Sequence, residues 1–79
     1  MESRICVRLE ALEKILAGRG VRSRYALAKL LGVSQSTVGR VLDHGQAPGE
    51  QFIAATLDKL GVAFEDVFEV VREPGEVGA

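Results

Sequence analysis

The sequence predicts an all-α fold: one compact domain of five short helices, the second and third forming a helix-turn-helix. Three observations lead there. Apolar residues recur at helical spacing through most of the chain. Serine, glycine and proline stand where helices should start, stop or break. The two middle helical segments are separated only by residues 32–34, which favours two helices crossing steeply at a bend over a loosely packed hairpin.

Helix 1 is expected over residues 7–17, where Val7, Ala11, Leu12, Ile15 and Leu16 fall near one face. The sequence "GRG" at 18–20 ends it. The preceding "RICVRL" also alternates as a strand does, so a short N-terminal strand is the open alternative there. Ser23 is suited to cap helix 2 (Arg24–Leu31), and Gly32 to end it in a left-handed conformation. Ser34 caps helix 3, expected over residues 35–43, with His44 and Gly45 closing it. Leu27, Ala28, Leu31, Val33, Val38 and Val41 are placed to fill the angle between these two helices. "GQAPG" is an exposed loop broken by Pro48. Helix 4 runs Glu50–Leu60 with Phe52, Ile53, Thr56, Leu57 and Leu60 as its buried stripe, and Gly61 ends it. Helix 5 starts near Glu65 and presents Val67, Phe68, Val70 and Val71 over nearly half its circumference. Residues 1–72 form the domain, and residues 73–79 a loose C-terminal tail.

Composition narrows the function. With 79 residues, 47% of them hydrophobic but only 5% aromatic, the chain can build one largely aliphatic core. A core that small is marginal alone, and dimerisation is a natural supplement. A single cysteine, Cys6, excludes an internal disulfide and a four-cysteine zinc site, and reads as a small apolar residue. One His and one Cys far apart in sequence make no metal site, and no cofactor is expected. Neither a membrane span nor a signal peptide's apolar stretch is present, so the expected location is cytoplasmic.

The net charge of −1 hides an asymmetry. Residues 1–42 carry eight basic and three acidic residues, a net of +5, whereas residues 43–79 carry two basic and eight acidic, a net of −6. Such a distribution suits a molecule that offers one end to a polyanion.

The outer face of helix 3 shows what that polyanion is. At about 100° per residue, with Gln35 at zero, Gly39 falls near 40°, Ser36 near 100° and Arg40 near 140°, opposite Val38 and Val41. Gln35, Ser36, Gly39 and Arg40 therefore share one exposed face near the helix N-terminus, the end that a helix-turn-helix inserts into the DNA major groove. Glutamine can pair with two atoms of adenine, arginine with two of guanine, and serine with either base. Gly39 costs the helix roughly 1 kcal/mol relative to alanine. Close approach of DNA would explain it; tight packing against a neighbouring side chain is the other reading.

Phosphate contacts are expected from residues flanking that helix: Arg22, Ser23, Arg24, Lys29, Ser34, Thr37, His44 and Gln46. Thr37 equally suits a capping or inter-helix hydrogen bond, and His44 a helix end.

The stretch "SRYALAKLLGVSQSTVGRVLDHG" (residues 23–45), followed by "FIAATLDKLGVAFEDVF" (residues 52–68), resembles the lambda-repressor-like helix-turn-helix regulators of phages and bacteria. The resemblance covers most of the chain. It implies that Gln35 and Ser36 read bases, with Arg40 at a third base-reading position. It also implies that the residue opening helix 2 touches phosphate and braces the reading glutamine. That residue is often glutamine in the family, and here it is Arg24. Asp43 stands where a phosphate-facing amide is common, and would repel DNA unless Arg40 or His44 neutralises it. The family further implies dimers joined through the last helix, here through Val67, Phe68, Val70 and Val71.

The expected function is thus sequence-specific binding of double-stranded DNA by a homodimeric transcriptional regulator, most simply a phage or bacterial repressor acting on a near-palindromic operator. An antitoxin or co-regulator, using the acidic half to bind a partner protein, is the competing reading. No nucleophile–base pair, paired carboxylate or phosphate-binding glycine loop suggests an enzyme.

Overall fold

A computed structural model describes residues 2–73. The element order is β1 (Glu2–Val7), α1 (Leu9–Gly18), α2 (Arg24–Leu31), α3 (Gln35–Leu42), α4 (Glu50–Leu60), α5 (Phe64–Val67) and β2 (Phe68–Glu73). Five helices are present as expected, but the fold is not purely α. β1 and β2 form a two-stranded antiparallel sheet in which Ile5 pairs with Val70 and Val7 with Phe68. The tail expected at residues 73–79 lies, apart from Glu73, outside the described residues.

The local signals of the sequence set the two central helices. The Ser23 hydroxyl accepts the Ala26 N–H at 3.0 Å, and the Ser34 hydroxyl accepts the Thr37 N–H at 3.1 Å. Each bond satisfies one of the donors that a helix start leaves free. Gly32 ends α2 at φ 74°, a left-handed conformation that a side chain would strain, and its N–H returns to the Ala28 carbonyl at 2.8 Å. The chain then turns directly into α3.

The core lies where all the helices converge. Leu12 and Leu16 of α1, Leu27, Ala28 and Leu31 of α2, Val38, Val41 and Leu42 of α3, and Phe52 and Leu60 of α4 are buried together. Val67 and Phe68 complete this cluster. Among the described residues Thr56 is the buried polar one, and its hydroxyl is satisfied by donating to the Phe52 carbonyl at 2.8 Å. Arg19 donates to the Leu60 carbonyl at 2.6 Å and so ties the end of α1 to the end of α4.

The fifth helix departs from expectation. It is a single turn, begun by Asp66 accepting the Ala63 N–H at 3.0 Å, and the chain leaves it extended at Phe68. Valines 70 and 71 are stiff at χ1 and favour a pleated surface, and β1 supplies a partner for their backbone groups. The crossing is pinned from the other side: the Arg8 N–H donates to the Val67 carbonyl at 2.8 Å, and Arg8 Nε to the Phe68 carbonyl at 3.3 Å. The expected helical face of Val67, Phe68, Val70 and Val71 consequently does not form. Val67 and Phe68 are fully enclosed in the chain's own core, Val71 is half-buried, and only Val70, 58% exposed, faces outward.

Candidate nucleic-acid interface

α3 turns its apolar side inward and its short polar groups outward. Val38, Val41 and Leu42 are buried, whereas Gln35, Ser36 and Arg40 are exposed and Gly39 lies half-exposed between them. The four expected base-reading residues thus share one surface. A Cβ placed on Gly39 would meet only the Asp43 carboxylate, at 3.9 Å, an ordinary contact. Packing within the domain therefore does not require glycine at this position.

The flanking residues divide by what already occupies them. Ser23 and Ser34 are used as helix caps. Thr37 shares a 2.8 Å hydroxyl hydrogen bond with Ser34 and accepts a long one, 3.5 Å, from Arg40, so it joins the helix cap to the Arg40 side chain. Arg22, His44 and Gln46 are exposed. Lys29 is also exposed, with its ammonium 5.6 Å from the centre of the Tyr25 ring. An open groove beside α3 brings together Ser34, Thr37, Arg40, Gln46, Gly49 and Gln51. Gln51, exposed in the first turn of α4, was not anticipated. Its signal in the sequence is an amide at the start of a helix, which becomes meaningful only once that start is known to adjoin Arg40.

The profile of the bacteriophage CI repressor helix-turn-helix domain matches residues 10–68. The chain belongs to that family. Comparisons with curated proteins and with solved structures gave no significant match. The matched span runs from α1 to the first residue of β2, so β1 and nearly all of β2 lie outside it. The chain is accordingly a DNA-binding, transcription-regulating helix-turn-helix domain of the CI repressor type. No helix among the described residues is long and apolar enough to cross a membrane.

Within this CI-type domain the residue opening α2 has unexpected partners. Arg24 grips Asp43, at the C-terminus of α3, through two hydrogen bonds: Nη2 to Oδ1 at 2.8 Å and Nε to Oδ2 at 3.3 Å. Glu13 of α1 adds a carboxylate oxygen 3.8 Å from the same Nη2. The Arg24 hydrogen bonds hold the Asp43 carboxyl below the usual carboxylate range, with a smaller contribution from the charge of His44. Asp43 in turn raises the Arg24 pKa further. The neutralising partner of Asp43 is therefore Arg24, on another helix, and Arg40 points instead toward Thr37.

Proposed function

We propose that this domain is a sequence-specific repressor that binds double-stranded DNA as a homodimer, each protomer laying α3 in the major groove of one half of a near-palindromic operator of phage or bacterial origin. Gln35, Ser36 and Arg40 read base edges, with Gly39 letting the helix approach. Arg22, Lys29, His44, Gln46 and the capped starts of α2 and α3 meet the phosphates on either side. One observation carries the reading: a strip of amide, hydroxyl and guanidinium groups stands outward on α3, backed by buried Val38, Val41 and Leu42. Such a strip matches the hydrogen-bonding edges that distinguish base pairs in the major groove. Of the apolar residues expected to join two copies, Val70, with Val71 beside it in β2, is the part left accessible.

Selection of bound sites from random duplexes tests this directly. The expected result is an inverted repeat whose half-sites are centred about 34 Å apart, one turn of the duplex. Recovery of sites without symmetry would remove the homodimer, and no enrichment at low salt would remove the sequence-specific function.

A further inference from the structure

The Arg24 cluster does more than tie three helices together. Asp43 lies near 80° on the α3 wheel, between Gly39 and Ser36, at about 100° per residue. Its carboxylate is the nearest group to the Gly39 surface. The cluster thus borders the face that meets DNA. One guanidinium is set against two carboxylates, Asp43 and Glu13, and all three groups are partly exposed. Arg22 lines the same pocket as Glu13 and Arg24.

We propose that Asp43, assisted by Glu13, withholds Arg24 from the DNA phosphates and so acts as an electrostatic brake on the sequence-independent part of binding. This rests on α3 being the DNA-facing helix. The Nε–Nη2 edge of Arg24, the fork that would grip a phosphate in the two-point manner, is filled by Asp43. A phosphate approaching the remaining edge meets the second carboxylate, Glu13, 3.8 Å from Nη2. Base-reading groups on α3 are untouched by this arrangement. The brake therefore lowers affinity for all duplexes alike and leaves the preference among sequences to Gln35, Ser36 and Arg40.

The test is the salt dependence of binding to a random-sequence duplex, followed by fluorescence anisotropy, for the wild type, Asp43→Asn, Glu13→Gln, and Asp43→Asn combined with Arg24→Gln. Each phosphate gained steepens the log–log slope by about 0.9, which corresponds to about 8-fold tighter binding at 0.1 M salt. Asp43→Asn is expected to show that change. Glu13→Gln should shift the same way by less, and the double variant should return to the wild-type slope. Thermal melts confirm that each variant is folded; should Asp43→Asn not fold, Glu13→Gln carries the test. An unchanged slope in the carboxylate variants overturns the proposal. So does a gain that survives in the double variant, which would trace it to Asp43's own repulsion. Wild-type protein that ignores every duplex at low salt defeats the DNA-binding reading itself, a separate outcome.

Discussion

Replacing Gly39 with alanine should make the domain more stable and a worse DNA binder. Gly39 sits in the interior of α3, and its φ is not among the positive values. The new methyl would touch only Asp43 Oδ2 at 3.9 Å. Nothing in the fold resists it, so the helix propensity difference of about 0.8–1.0 kcal/mol should appear as stability. For a domain of this size that raises the melting temperature by roughly 3–8 °C. At the DNA the same methyl enters a surface meant for close approach, where overpacking costs roughly 1–3 kcal/mol, about 5- to 150-fold in Kd. Thermal unfolding by circular dichroism and titration against a selected operator measure the two effects on one protein sample. A melting temperature that falls would show that α3 is packed differently. A gain in stability with unchanged affinity would show that no ligand comes close to Gly39, and the explanation for this glycine would be lost.

Four further outcomes follow from the same geometry. Arg40→Ala should relax discrimination at one operator position by about 1–3 kcal/mol; in binding-site selection, an equal loss on every sequence would make Arg40 a phosphate contact. Ser34→Ala should lower stability by about 1 kcal/mol, because the Thr37 N–H loses its cap and the Thr37 hydroxyl its 2.8 Å bond to Ser34, and urea unfolding should show a lower midpoint with an unchanged slope. Phe68→Ala should destabilise the monomer by about 3–5 kcal/mol, whereas Val70→Lys should leave unfolding within about 0.5 kcal/mol and shift sedimentation toward monomer; a dimer that survives Val70→Lys does not use β2.

The helices were legible because their boundaries are written in neighbouring residues. Ser23, Gly32, Ser34 and Gly61 each act within four positions of themselves, and the bounds of α2, the start of α3 and the end of α4 follow from them. β2 was not legible in this way. A run such as Val67–Val71 fits a helix face or a strand, and the choice is made by β1, more than sixty residues earlier in the chain. Alternation in "RICVRL" and the paired valines were the two halves of that signal, but neither names the other as partner. The site divides along the same line. The outward strip on α3 follows from the helical repeat alone. The grip of Arg24 on Asp43 spans 19 residues and depends on how steeply α2 and α3 cross, so sequence spacing pointed to Arg40 or His44. Gln51 joins the groove only because the loop after α3 folds back beside Arg40.

The charge asymmetry also changes meaning once the chain is folded. The sheet brings the basic first half against the acidic second: β1 pairs with β2, Arg8 lies 3.7 Å from Glu69, and Arg24 is held by Asp43. Halves of the sequence are therefore not halves of the molecule, and a net charge of −1 says little about the DNA-facing side. Exposed charges farther than a Debye length, about 8 Å at physiological salt, are largely screened from a phosphate. What counts is the cations beside the reading face: with Arg24 engaged and Arg40 assigned to a base edge, these are Arg22 and Lys29. Two such contacts would give a single protomer a log–log salt slope of about −2, and two protomers on the proposed operator about −4. So small an electrostatic contribution per protomer gives a physical reason for binding in pairs. A second copy would double both the phosphate contacts and the base edges read, without adding positive charge to a domain in which Asp43 holds Arg24.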